Sequence, residues 1–509
     1  MRLEHFQRNV DRFRQDKRGV VAIMFALALI GIALAVGLTL DYSRALRAKG
    51  VLKSAADAAV LAALSATEAD YANNGGVSDP NTMIKDAEMA ACGAFKANAG
   101  NYYSELSPAP QPCPAPGNPA ITVTINGLNV VANVGFQANS PNLFGALANS
   151  PTMNISQMSD NASVAQEQLP AYANFYLLLD NTPSMGVGAT SSDIQKLINL
   201  TTNLTATVNG TTYQNPNEAS CGFACHEVHP CSASSPPSGC GSTSTSKTNY
   251  ETNVYAPKFD YLTLARNNNV TLRIDALRQA TQSLMSLAAN IETANHIPNE
   301  LQFAIYSFGA SADAEQSCAL AKIAPPSASG GSTCNADASV SGDTGALATQ
   351  AQALDLMSTQ YQNQYGDQDT SFDTVVPALQ KILPAPGDGT SQASAQEYVI
   401  IVSDGVTDEY HNGSRVIAPI NTALCASLKN AGVQVATLYT TYYPIPNNSF
   451  YMQHVAPYNP GGANDQLAAA MQSCASSPDL FQQVAVGGNI SQALQNIFTK
   501  LLQRSRLVQ

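Results

Sequence analysis

This sequence predicts an α/β fold built on a doubly wound, mostly parallel sheet, and three observations predict it. Asn174–Gly186 reads NFYLLLDNTPSMG, with an unbroken apolar and aromatic run into Asp180. Tyr398–Ser403 (YVIIVS) is a second such run, ending at Asp404-Gly405. A strand that is apolar at every position is one buried on both faces, because helices then cover both sides of the sheet. The third observation is the rhythm around these strands. Leu301–Phe308 and Val433–Tyr439 read as further strands. Val270–Glu292, Phe372–Leu383, Asn421–Ala431 and Ile490–Leu502 read as helices between and after them. Such alternation implies a parallel sheet with right-handed crossovers.

Open α/β sheets bind ligands at the carboxyl ends of their strands, and here both buried strands end on an aspartate. Asp180, Thr182 and Ser184 are spaced by two, so three oxygen side chains can turn toward one point. Between the two strands, Asp369-Thr370-Ser371 enters a helix and offers another hydroxyl, from Thr370 or Ser371. Hard oxygen donors of this kind suit Mg²⁺ or Mn²⁺, with Ca²⁺ a third candidate that asks for more ligands. Any one of these residues alone would read as a cap or a turn; the ordered set carries the inference.

Asp-x-Thr-x-Ser after the first strand, a Thr before a later helix and Ser-Asp-Gly after a later strand together resemble the metal-ion-dependent adhesion site of von Willebrand factor A domains. The resemblance implies Asp180, Thr182, Ser184, Thr370 and Asp404 as ligands, with Thr182 standing where the family usually has Ser. It also implies that a partner's acidic group completes the cation's shell.

At 509 residues and 45% hydrophobic content, two or three units with sizeable cores are expected. A net charge of −12 argues against a nucleic-acid partner, since phosphate binding needs a basic face. The ten cysteines form an even set in polar surroundings, which suits disulfides in an oxidising compartment.

Residues 1–18 form a basic segment, with Arg2, Arg8, Arg12, Arg14, Lys17 and Arg18 against Glu4, Asp11 and Asp16. Gly19–Leu40 is then uncharged for 22 residues, enough for one helix to cross a hydrocarbon core of roughly 30 Å. That is longer than a signal-peptide core, and the basic flank places the amino end in the cytoplasm. Good helix formers with Leu46, Leu52, Ala56, Ala59 and Ala63 near helical spacing carry the helix on to about Thr67. The run from Arg18-Gly19 through Asp41-Tyr42 to the Ala-Ala-Asp-Ala-Ala-Val stretch resembles the N-terminal segment, 18–67, of TadE/TadG-like proteins of the Flp (tight-adherence) pilus system. Relatives processed like prepilins carry a Glu where Met24 stands, so cleavage after Gly19 is not expected.

Residues 70–170 read as a small β-containing module, with a helix over Thr82–Ala97 and strands at Ile121–Thr124 and Val130–Gly135 around the turn signal Asn126-Gly127. Cys92 and Cys113 pair there by default, and Cys318 with Cys334 across a later loop. Residues 171–509 form the A-type domain, interrupted by a polar insertion over 187–269 containing CGFACHEVHPC. Three residues separate Cys221 from Cys225, which misses the c-type haem spacing C-x-x-C-H. Zinc held by Cys and His is a second reading. The favoured one is two local disulfides among Cys221, Cys225, Cys231 and Cys240, stapling a loop that lacks an apolar core. The resemblance to the TadG-like C-terminal region implies a pair Cys425–Cys474.

The function these features point to is a membrane-anchored, non-enzymatic adhesion or pilus-assembly protein, extracytoplasmic over most of its length. Its expected partner is a pilus or envelope protein, and no small-molecule substrate is expected. Two other classes compete: a metal-dependent hydrolase, since two carboxylates and a divalent ion can activate water, and a metal- or redox-sensing module built on CGFACHEVHPC. His411 and His454 sit in expected loops without a catalytic partner.

Overall fold

The computed structural model describes residues 18–77, 79–112, 117–158, 162–308, 320–328, 334, 336–361, 370–411, 414–446, 449, 451–459 and 464–505. The chain divides into two compact units, one ending at Leu169 and the other beginning at Pro170.

The first unit is built on a 57-residue helix, Arg18–Asn74, which runs past the expected end at Thr67. Its amino-terminal part exposes Ile23, Phe25, Leu27, Ile30, Ile32, Val36, Leu38 and Leu40, making it a helix long and apolar enough to cross a membrane. Beyond Asp41 one face is buried through Ala45, Ala48, Leu52, Ala55, Ala59 and Ala63. These positions recur every three or four residues, and the small side chains let the helix Pro80–Ala99 lie close, burying Met83, Ala87, Ala91 and Phe95. That second helix starts where Pro80 has a preset φ and Asp79 accepts from Asn81 N at 3.2 Å. Strands β1 (Ala120–Asn126) and β2 (Asn129–Pro141) pair antiparallel with Asn126 opposite Asn129. Gly127, at φ 60°, takes the first place of the two-residue turn, where a side chain would be strained. Two further strands, β3 (Thr152–Gln157) and β4 (Ser163–Gln168), pair antiparallel with different stretches of β2.

The second unit contains a six-stranded sheet whose strands lie in the spatial order β14 (Phe481–Val484), β13 (Gln434–Thr440), β10 (Gln396–Ser403), β5 (Ala173–Leu179), β8 (Leu301–Ser307) and β9 (Ala321–Ala324). Strands β5, β8, β10, β13 and β14 run parallel to their neighbours. The edge strand β9 is antiparallel to β8. All seven residues of β5 are buried, as its unbroken apolar run predicts. Phe175, Leu177 and Leu179 face a core shared with Leu277 and Leu284 of the helix Arg273–Asn295 and Leu494 and Phe498 of the helix Ile490–Ser505. Tyr176 and Leu178 face the opposite core, with Val375 and Leu379 of the helix Phe372–Ile382 and Leu428 of the helix Thr422–Asn430.

At the end of the sheet remote from the two aspartates, Glu397 lies opposite Asn174 in the β10–β5 register. Asn174 Nδ2 donates to Glu397 Oε1 at 2.9 Å, yet burial pushes the carboxyl up to about 7. A carboxyl that keeps its proton longer in the folded chain stabilises most below its unfolded value, and this contribution is lost as pH rises through about 7. Glu397→Gln is therefore expected to flatten the decline in urea midpoint between pH 5 and 8 and to raise stability at pH 8. An unchanged slope would show that Glu397 does not carry it.

Residues 187–269 depart from expectation. They are not a loop without an apolar core. Tyr250, Val254, Tyr255 and Phe259 form a small core around Cys231 and Cys240. The helix Ser191–Thr201, the hairpin β6–β7 (Thr205–Val208 and Thr211–Gln214) and the helix Tyr261–Asn267 are regular elements, and Leu197, Leu262 and Ala265 belong to the main core beside β5. Cys231–Cys240 is a disulfide, whereas Cys221 and Cys225 are free thiols, so the expectation of two bridges among these four is corrected to one. The Cys425–Cys474 bridge is present. Cys92 and Cys334 are disulfide-bonded, while Cys113 and Cys318 lie outside the described residues.

Candidate metal centre

Two neighbouring parallel strands deliver the acidic residues. Asp180 follows β5, and its backbone N–H donates to Val402 O of β10 at 2.9 Å. Asp404 follows β10 one residue after Ser403. In the strand order β8 lies on one side of β5 and β10 on the other, so the connections reverse direction at the gap these aspartates flank. Both residues are fully buried.

The hydroxyls converge there too. Thr182 donates to Asp180 Oδ1 through its N–H at 3.0 Å and its Oγ1 at 2.7 Å. Thr182 Oγ1 lies 3.2 Å from Ser184 Oγ, and Thr370 Oγ1 donates to Thr182 Oγ1 at 3.0 Å. Ser184 also lies near enough to Asp404 to lower its carboxyl. The structure thus brings Asp180, Thr182, Ser184, Thr370 and Asp404 together.

Of Thr370 and Ser371, Thr370 is the one whose hydroxyl meets Thr182. The Thr370 backbone pairs with Asp408, N–H to O at 3.2 Å and O to N–H at 3.0 Å. Asp408 belongs to the hairpin β11–β12 (Val406–His411 and Ser414–Pro419) and is gripped by Arg415 at 2.7 and 2.6 Å. Ser371 is the residue before the helix Phe372–Ile382 and makes no side-chain cap bond there. His411 ends β11 instead of sitting in a loop, and Asp369 lies outside the described residues.

Two residues shape the site without having been singled out by the sequence. Ser403 Oγ donates to Asp180 Oδ2 at 2.6 Å and accepts from Gly405 N at 2.9 Å. Gly405 takes a φ of 76°, which turns the chain out of β10. Arg273, also buried, donates through Nη2 to Thr441 O at 2.9 Å and places a positive charge near both aspartates. Ser403 was visible as the residue before Asp404-Gly405. An arginine opening a helix reads as a solvated residue and gives no signal.

Burial raises the Asp180 carboxyl, against the bonds from Ser403 and Thr182. Burial first, and the Asp180 charge second, push Asp404 up to about 7, while Arg273 and Ser184 temper the shift. Asp404 Oδ1 accepts from Val406 N at 3.3 Å, but Asp404 Oδ2 is buried with no hydrogen-bond partner. A buried carboxylate oxygen without a partner is costly, and a cation held by these oxygens would satisfy it.

The Cys/His stretch is arranged differently. Cys221 and Cys225 hydrogen-bond to each other, which holds Cys221 below the usual thiol range and pushes Cys225 up. His226 Nδ1 is 3.1 Å from Asp260 Oδ1 and His229 Nδ1 is 3.5 Å from Glu251 Oε2. Among the described residues, no three His, Cys, Asp or Glu side chains converge on one point.

Residues 19–69 match the Tad family model, described as Flp pilus-assembly TadE/G-like. No curated protein matches the chain. Solved structures similar to it include the pilus adhesin SpaC of Lactobacillus rhamnosus GG, at 9% identity and TM-score 0.31 over 76% of this chain and 34% of that one. The vWF domain of the type V pili tip protein Mfa5 of Porphyromonas gingivalis is similar at 10% identity and TM-score 0.29, over 65% of this chain and 96% of that one. Proximal thread matrix protein 1 of the mussel byssus, with a zinc-occupied MIDAS motif, is similar at 10% identity and TM-score 0.29, over 65% and 46%. This chain spans about a third of the SpaC structure's length.

Proposed function

We propose that the second unit is a doubly wound von Willebrand factor A-type domain whose cation site binds an acidic group of a protein partner. The chain would then be a single-pass, membrane-anchored, non-enzymatic adhesion or assembly protein of the Flp/Tad pilus system. The observation that carries the reading is the orphaned, buried Asp404 Oδ2 beside Asp180 and three hydroxyls. Asp180, Thr182, Ser184, Thr370 and Asp404 would hold the ion, and their oxygens suit Mg²⁺ or Mn²⁺. The bound ion would supply an electrophilic point for a partner's carboxylate.

This chain's own residues supply the rest. Asp180 anchors through β5 and the Ser403 bond, and the Asp408–Arg415 hairpin fixes Thr370. Arg273 offsets part of the negative charge when no ion is bound. The TadE/G-like match over 19–69 supports the pilus assignment, and the uncharged Gly19–Leu40 run supports an anchor with the bulk of the chain outside the cytoplasm.

The test is capture of a pilus or envelope protein from native envelopes by the full chain in detergent. Capture should be lost with chelator, restored by Mg²⁺ or Mn²⁺, and absent for Asp180→Ala. Capture undiminished by chelator and retained by Asp180→Ala would reject the cation-dependent mechanism.

A further inference from the structure

The connection between β2 and β3 is tied to the apolar part of the long helix. Asp41, the first charged residue after the uncharged run, is buried and accepts three backbone N–H bonds from that connection. These come from Leu143 at 2.8 Å, Phe144 at 2.9 Å and Gly145 at 2.8 Å. One turn earlier, Gly37 is covered by the Phe144 ring, and a Cβ built on Gly37 would stand 2.2 Å from Phe144 Cγ. Gly37 lies three residues inside the end of the apolar run at Leu40, about 4.5 Å along the helix axis. The loop is therefore docked over the last turn of the apolar run, and Phe144 lies against it.

Three further features set this loop apart. Leu143 and Leu147 are among the most exposed large apolar residues of the chain, at 69% and 77%. No Asp, Glu, Lys or Arg occurs from Leu106 to Ser159. The loop also satisfies its own backbone: Asn142 N donates to Pro151 O, Leu147 N to Phe144 O, Asn149 N to Ala146 O and Ser150 N to Gly145 O. Asn142 Nδ2 adds a bond to Ser150 O at 3.0 Å. With the three N–H groups that Asp41 accepts, little of the loop's backbone asks for water. That is the condition a non-helical segment must meet at a hydrocarbon boundary. Exposed leucines on such a loop in water would be a liability.

We propose that the Asn142–Ser150 loop is a second membrane contact, which seats Leu143 and Leu147 in the non-cytoplasmic leaflet of the bilayer beside the point where the helix leaves it. The occupant is lipid, because the loop continues the apolar surface of the helix that Leu38 and Leu40 already expose. Asp41 is the clamp: its carboxylate is consumed by loop N–H groups, so it can lie at the membrane edge without facing lipid as a free charge. The contact would fix the rotation of the helix and the height of the first unit above the bilayer, as interfacial anchors do.

The inference rests on the reading of Gly19–Leu40 as a membrane span, and one experiment separates the two. The full chain is reconstituted in phosphatidylcholine vesicles with an environment-sensitive fluorescent amino acid at Leu143, Leu147, Leu29 or Leu61 in turn. Spin-labelled lipids carrying the label at shallow or deep positions serve as quenchers. Probes at Leu143 and Leu147 are expected to emit at blue-shifted wavelengths and to be quenched most by the shallow label. Leu29 should be quenched most by the deep label, and Leu61, well past the span, by neither. If Leu143 and Leu147 behave like Leu61 while Leu29 is quenched, the span stands and the loop contact is wrong. If Leu29 is unquenched as well, the span itself is wrong and the loop contact falls with it.

Discussion

Replacing Cys425 and Cys474 together by alanine is expected to lower the unfolding free energy of the second unit by about 4 kcal/mol in the chain-entropy account of cross-links. The bridge joins residues separated by 49 positions, with Cα atoms 5.0 Å apart. It ties the helix Thr422–Asn430 to the helix Gln466–Cys474, and β13 runs between them in sequence. A loop of this length has much freedom to lose in the unfolded chain, which is where most of the effect arises. Both cysteines are fully buried in the core that Leu428 and Met471 share, so alanines add a small packing loss of the same sign. Urea unfolding of the full chain in detergent should show the lower midpoint for the double variant, and reduced wild type should move toward it. A midpoint unchanged in both would mean that the bridge closes a loop already constrained by the sheet.

The parts of this fold legible in the sequence are those whose burial is written residue by residue. Strands β5 and β10 had to be buried on both faces because their runs Phe175–Leu179 and Tyr398–Val402 are unbroken by charged or amide residues, and the aspartates that follow had to fall at the strands' carboxyl ends. The edge strand β9 was not legible, since four residues beside a segment of small polar ones carry no period. The region 187–269 misled for a related reason. Its core is assembled around one disulfide from Tyr250, Val254, Tyr255 and Phe259, a single short helical stripe set among Ser, Thr and Asn. Leu197 and Leu262 reach the main core singly.

The candidate site divides in the same way. Asp180, Thr182, Ser184 and Asp404 announce themselves through spacing on strand ends. Thr370 is set apart from Ser371 by its hydroxyl's bond to Thr182 and its backbone pairing with Asp408, and the second requires knowing that residues after Asp404 form a hairpin. Arg273 acts by its charge near the aspartates while its hydrogen bond goes to Thr441 O, a relation across 168 residues that no local pattern contains.

The full chain is expected to gain stability from Mg²⁺ or Mn²⁺, by about 2.7 kcal/mol at a hundredfold excess of ion over its dissociation constant, and Asp180→Ala is expected to abolish that gain. Without the ion, Asp180 and Asp404 are two carboxyls in one buried place, partly offset by Arg273. Removing one loses the bonds from Ser403 and Thr182 but relieves the repulsion, so the ion-free variant should unfold close to the ion-free wild type. The pH dependence follows from Asp404. Its carboxyl is pushed up to about 7 from an ordinary value of 3.8, so the ion-free folded chain keeps a proton that the unfolded chain releases. Ion-free stability therefore falls as pH rises from 3.8 toward 7 and levels off above it. A cation competes with that proton, so its stabilisation should be small near pH 5 and complete near pH 8. Thr370→Ala should weaken the gain, and Ser371→Ala should leave it intact. Thermal unfolding with Mg²⁺, Mn²⁺ or chelator at both pH values reads all of these at once. Melting curves indifferent to the ions would remove the cation from the site, and a gain that survives in Asp180→Ala would place the ion elsewhere in the chain.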